Sequence, residues 1–119
     1  MARTEIAAQE LPGGYDYDGA NLTWTAADVA NGNDTPCTGR EIILVRNDDA
    51  GGSLVTIVSA ADALGRTKDC EKTVAASEYA QFGPFPVTGW SSGGRLEFDG
   101  ANANVMFAVL RLPSSWAGR

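Results

Sequence analysis

The 119-residue chain contains no histidine. The commonest general base is therefore missing, and with it the usual Ser-His and Cys-His nucleophile pairs. What remains for acid and base work is three carboxylate pairs, Asp16 with Asp18, Asp48 with Asp49, and Glu97 with Asp99. Two carboxyls do such chemistry only when both flank a reacting bond in a cleft. Each of these pairs falls in a turn-forming stretch or on the polar side of an alternating strand, so all three are expected on the solvated surface. "DYDG" (Asp16 to Gly19) has the opening of a calcium loop without its third acidic position or its closing glutamate. "NGNDT" (Asn31 to Thr35) offers oxygens, but these are the residues that build plain turns. The glycines of "GRLEFDG" precede no helix and so make no phosphate cradle. No catalytic residue, metal ligand set or cofactor is assigned, and the chain is not expected to be an enzyme.

Two cysteines, Cys37 and Cys70, each lie in a polar stretch ahead of a β-rich run. Free thiols in a reducing cytoplasm and a Cys37–Cys70 bridge in an oxidising medium are both open. Without histidine, two cysteines fall short of a four-ligand zinc site. Three tryptophans offer a different chemistry, stacking on sugar rings from a β-sheet face. For Trp24 and Trp90 the competing reading is core packing, whereas Trp116, in "PSSWAGR", is the one expected to anchor on a partner.

These residues must be held by one domain, since the chain has the commonest single-domain length, with 44% hydrophobic and 20% charged residues and 14 glycines for tight turns. A net charge of −6 opposes unaided binding to nucleic acid or an anionic membrane and favours neutral or basic protein partners. No apolar run approaches the roughly 18 residues of a membrane helix. The start "MARTEIAAQELPGG" lacks the apolar core of a secretory signal. Synthesis in the cytoplasm as a soluble protein is expected.

Residues 1–20, with "ELPGGYDYDG", read as an extended arm, residues 21–113 as the folded domain, and 114–119 as a tail. Within the domain, Asn21 to Thr25 form a short strand with Leu22 and Trp24 on one face, and "ADVANGNDTPCTG" runs along the surface as turns. Strands are expected at Glu41 to Asn47, Leu54 to Ser59, Lys72 to Ser77, Arg95 to Phe98 and Val105 to Leu112. "DDAGG" suits a hairpin loop between the first two. "RLEFDG" alternates with one wet face, whereas "IILV" and "VMFAVLRL" are apolar on both. "SAADALGR" permits at most one helical turn. In "QFGPFPVTGW", Pro84 and Pro86 cannot sit in a central strand, so this stretch is read as a corner between two sheets, with Phe82, Phe85 and Trp90 over the end of the core. The fold class is all-β, a single-domain β-sandwich.

The order "TWTAADVANGN", "GREIILVRNDDAGGSLVTIVSAAD", "GRTKDCEKTVAASEYAQFGPFPVTGW" and "RLEFDGANANVMFAVLRL" resembles the capsid decoration, or cementing, proteins that tailed bacteriophages encode beside the major capsid protein. The shared features are Gly-Arg before a strand ending in "VRN", a Gly-rich loop, GPFP closing a strand, and a C-terminal "AVLRL" strand, together covering about Trp24 to Leu112. The resemblance implies a jelly-roll-like sandwich without catalysis or cofactor. It would assemble as a trimer on the outer capsid surface of the virion, with the major capsid protein and itself as partners and with neither nucleic acid nor membrane. Leu11, Pro12, Tyr15, Tyr17, Phe85, Trp90, Met106, Leu110 and Trp116 are the expected contact residues, and the arm is expected to reach a neighbour by strand addition. The alternatives are a carbohydrate-binding sandwich on the virion and a head-completion or tail component.

Overall fold

The structure, a computed structural model, describes residues 3–11, 21–61, 64–65 and 67–113. Its strands are β1 (Thr4–Glu5), β2 (Gln9–Glu10), β3 (Thr25–Ala26), β4 (Asn33–Pro36), β5 (Glu41–Asn47), β6 (Ser53–Val58), β7 (Cys70–Val74), β8 (Tyr79–Phe82), β9 (Arg95–Gly100) and β10 (Val105–Arg111). One sheet, A, has the order β1-β4-β9-β6-β7; the other, B, has β2-β10-β5-β8, with β3 sharing the β2 edge of β10. The expected all-β sandwich is what forms. From β4 onward every connection except β6 to β7 crosses from one sheet to the other.

Alternation explains the sandwich. In β5, Ile43 and Val45 are buried while Ile42, Leu44 and Arg46 face outward; in β9, Leu96 and Phe98 are buried. The sheets meet through Phe98 of sheet A and Phe107 of sheet B, edge to face with ring centroids 4.8 Å apart, a favoured aromatic geometry. Gly100 lets them close, because a Cβ there would stand 2.9 Å from the Ala27 Cβ.

Each end of β5 carries a buried polar side chain. Asn47, wholly buried, donates from Nδ2 to the carbonyls of Val74 (2.8 Å) and Gly51 (3.0 Å) and accepts at Oδ1 from the Asp49 N–H. It thus ties the 48–52 loop to the β7–β8 turn. "DDAGG" is therefore not a hairpin: β5 and β6 lie in different sheets, and the loop turns the corner between them. At the other end Glu41, also wholly buried, accepts from the Thr38 N–H (2.7 Å), the Thr38 hydroxyl (2.6 Å) and Arg111 Nε (2.6 Å). Burial works against its charge but is outweighed by the bonds from Thr38 and Arg111, which hold the carboxyl below the ordinary glutamate range.

The "QFGPFPVTGW" stretch is the expected corner. After β8 the chain leaves sheet B through Gly83, whose φ of +102° and position, where a Cβ would lie 2.9 Å from the Glu41 carbonyl, both require glycine. Phe85 is buried, with the half-buried Trp90 against it at 4.9 Å. Val87–Trp90 closes one helical-type turn, Ser91 N–H to Val87 O, although Thr88 and Gly89 have type II turn dihedrals. Phe85 was also among the expected contact residues. Its burial, at 5% exposure, removes it from any interface.

The described part of the arm, residues 3–11, does not extend outward. β1 pairs in parallel with β4 at the edge of sheet A, and β2 pairs in parallel with β10 at the edge of sheet B. Between them Ile6 is buried in the core and donates its N–H to Asp34 O. Strand addition to a neighbour by these residues is thus replaced by pairing within the chain. Burying one isoleucine stabilises by about 1.5–3 kcal/mol, more than the exposed ion pairs alongside, each worth about 0–1 kcal/mol. These pairs, Arg3 with Asp99 (2.7 Å), Arg95 with Glu5 (2.5 Å) and Asp34 (2.9 Å), and Arg111 with Glu10 (3.2 Å), fix the register.

Two outcomes follow from this packing. Phe85→Ser is expected to destabilise by about 3 kcal/mol or more, read from urea unfolding; an unchanged midpoint would show that Phe85 does not cap the core. Because the Glu41 carboxyl titrates below its unfolded value of ~4.3, its stabilisation is complete above that pH and is lost as pH falls through the folded-state value. Glu41→Gln is expected to lose about 2 kcal/mol at neutral pH and to show a shallower acid destabilisation than the parent. Equal slopes would assign that loss to other carboxyls.

Candidate functional site

The carboxylate pairs among the described residues are taken up by neighbouring groups. Asp48 receives Arg46 through paired bonds of 2.9 Å from Nε and Nη2. Asp49 accepts from Asn104 Nδ2 (3.0 Å) and the Gly51 N–H (3.2 Å), and those bonds lower its pKa. Glu97 and Asp99 both face Arg3. Asp16 and Asp18, with the rest of "DYDG", lie outside the described residues. Among the described residues no cluster of three metal-ligating side chains occurs.

"NGNDT" is not a surface turn but contains most of β4, an interior strand of sheet A. Asn33 is wholly buried there, accepting from the Asp28 N–H (2.9 Å) and donating to Thr4 O (3.2 Å). Its oxygen is used in folding, not in ligation.

Both cysteines are free and partly buried against the core. Cys37 follows β4, where its N–H donates to Gly94 O, and Cys70 opens β7. β9 and β6 lie between those strands, and the register sets the two at different levels of the sheet, which puts them more than about 14 Å apart at ordinary strand spacing. A disulfide needs Cα atoms within about 7 Å, so the Cys37–Cys70 bridge does not form. Burial pushes the Cys37 thiol up, away from a reactive thiolate.

Among the described residues, one sheet face is covered only in part. Register places Ile42, Leu44 and Arg46 of β5, Met106, Ala108 and Leu110 of β10, and Tyr79 and Gln81 of β8 on the outer side of sheet B. Met106 and Leu110, two expected contact residues, are indeed brought together there and are half-buried. Leu22 and Trp24 lie over the same face. Their segment is anchored by Gln9, which donates from Nε2 to Thr23 O and accepts at Oε1 from the Thr23 N–H, each 2.9 Å.

The result is a groove of about 450 Å³ walled by Leu22, Trp24, Leu44, Tyr79 and Gln81 and floored at Val45 and Ala80. Tyr79 is 68% exposed and meets Trp24 edge on at 6.1 Å, while the Arg46 guanidinium lies 5.0 Å over the Trp24 ring. Trp24 is therefore neither a core tryptophan nor a bare platform. No family model, curated protein or solved structure matches the chain.

Of the other expected contact residues, Leu11 is half-buried and donates its N–H to Arg111 O of its own chain, and Trp90 packs on the core beside Phe85. Pro12, Tyr15, Tyr17 and Trp116 lie outside the described residues. Leu22, Leu44 and Tyr79 were not among the expected contact residues. For Leu44 the doubly apolar "IILV" was the available signal, and for Tyr79 only the strand that GPFP was expected to close.

The Gln9 anchor carries a prediction. Gln9→Ala is expected to cost about 1 kcal/mol in stability, to speed hydrogen exchange at Thr23, and to shift Trp24 emission to longer wavelength as the ring loosens. Unaltered exchange at Thr23 would show that the segment is held by Leu22 and Trp24 alone.

Proposed function

We propose that the chain is a decoration protein of a tailed-bacteriophage capsid, binding the outer surface of the mature shell and cementing neighbouring subunits, as a trimer. The carrying observation is the apolar outer face of sheet B, where Leu44 lies opposite Ala108 and diagonal to Met106 and Leu110, with a groove beside them. Exposed apolar grooves of this kind mark contact surfaces. The order of sequence segments set out above supplies the choice of partner. The net charge of −6 supports a neutral or basic protein surface as the target and disfavours DNA. Many weak contacts repeated over a lattice give avidity that one copy lacks.

The carbohydrate-binding alternative would draw on Trp24 and Tyr79, but Arg46 covers a Trp24 face and the groove is lined chiefly by apolar groups. Sugar sites need convergent polar partners. A head-completion or tail role differs in stoichiometry, with few copies per particle.

Co-sedimentation of the purified chain with undecorated capsids, unexpanded and expanded, tests the proposal. Saturable binding at hundreds of copies per particle is expected, preferring the expanded shell, and Leu110→Asp is expected to weaken it at least about tenfold, as for a hot-spot residue. Absence of binding to both forms would overturn the reading.

A further inference from the structure

The outer face of sheet B ends at an open strand edge, and the ladder shows which backbone groups lie along it. Leu112 N–H donates to Arg40 O and Asp48 N–H to Asn104 O, so the even-numbered residues of β5 bond to β10. Asn47 N–H donates to Glu78 O, so the odd-numbered residues bond to β8. With Val45 opposite Ala80 and Ile43 opposite Phe82, the backbone groups of Ala80 and Phe82 face β5. Those of Tyr79 and Gln81 then point to the free edge. Among the described residues no strand pairs with β8 on that side.

The other sheet edges are guarded. β1 and β2 are two residues long, and β7 carries exposed Glu71 and Lys72. Short or charged edges resist strand addition. β8, Tyr-Ala-Gln-Phe, has neither charge nor proline, and the groove opens on its outer side.

We propose that β8 and this groove take an extended peptide strand from a partner protein. The strand would add to the outward N–H and C=O groups of Tyr79 and Gln81 and place alternate apolar side chains beside the Tyr79 and Gln81 side chains, which wall the groove. An unpaired strand edge beside an apolar groove defines this occupant: the edge demands extended backbone, and the groove demands a side chain at every second position. Charge narrows it further. Glu78 is exposed at the start of the edge and the chain is net acidic, so basic residues between the apolar ones are favoured. The inference gives the recognition mode of the contact face proposed above and relies on that reading only for the partner's source.

The test uses the full chain, ¹⁵N-labelled, and an end-capped octapeptide alternating lysine and valine, with no capsid present. Saturable binding with amide shifts at Tyr79 and Gln81 is expected. Gln81→Pro, which removes an outward N–H without breaking a β5 bond, and Tyr79→Glu, which charges the exposed wall that the added side chains meet, should each weaken binding about tenfold. A glutamate-valine peptide should bind about fivefold more weakly than the lysine one.

Thermal melting confirms that each variant is folded, and either folded variant alone decides the test. No saturation by about 1 mM peptide, undiminished binding by the variants, or shifts confined to β7 would overturn the inference. So would a dimer of the free chain that Gln81→Pro disperses, since the occupant would then be a second copy. Peptide binding can fail while capsid sedimentation succeeds, or the reverse, so the two proposals fall separately.

Discussion

β5 is held at both ends by a polar side chain taken wholly out of water, Glu41 at one and Asn47 at the other. The rest of the sandwich depends on that arrangement. Almost every connection crosses between sheets, so each end of the molecule gathers loops whose main-chain groups need partners at the rim of an apolar core. Asn47 serves three of them with one amide, and Glu41 orders the Thr38 approach while holding Arg111 beside it. An apolar residue at either position would pack well enough but leave several buried groups unsatisfied, each a larger loss than the bond it replaces is a gain.

The Glu41 end also decides where the N-terminal segment lies. Arg111 spans Glu41 and Glu10, so the buried carboxylate is connected through one guanidinium to β2, while Ile6 closes the gap between sheets one turn of chain earlier. Docking that segment removes long free edges at β4 and β10 in exchange for two-residue ones. A segment rich in polar residues thereby occupies strand edges that could otherwise pair with another chain.

The strands legible in the sequence were those whose side chains alternate or run apolar, β5, β9 and β10, and β5 was placed with its ends intact. β6 and β7 were found but displaced toward their C-terminal sides. β4 was missed because "NDTP" has the composition of a turn; what makes it a strand is external, since β9 supplies ladder partners and Asn33 is bonded within the fold. β8 was absorbed into "TVAASEYAQF", whose alternation is blurred by alanines. The corner at Gly83 to Trp90 was readable because proline and glycine act locally, whereas the "DDAGG" loop was misread because turn chemistry does not record whether the flanking strands pair. Of the residues on the outer face of sheet B, Met106 and Leu110 were recoverable from a strand apolar on both faces. Trp24 and Tyr79 meet only through tertiary structure.

The two outer faces of the sandwich differ in a way that orients the molecule. Sheet A shows water a lattice of ions, Arg3 with Glu97 and Asp99 and Arg95 with Glu5 and Asp34, whose members satisfy one another and whose exposed pairs contribute little by themselves. Covering that face would strip water from several charges at once, a penalty that a partner could repay only with well-placed charges of its own. Covering sheet B strips water from Leu44, Met106, Leu110 and Tyr79, with the Arg46–Asp48 ion pair at its margin. The same partner gains from the second face what it would lose on the first. For an acidic protein built this way, sheet B is the face that loses less on leaving water and sheet A the face that loses more.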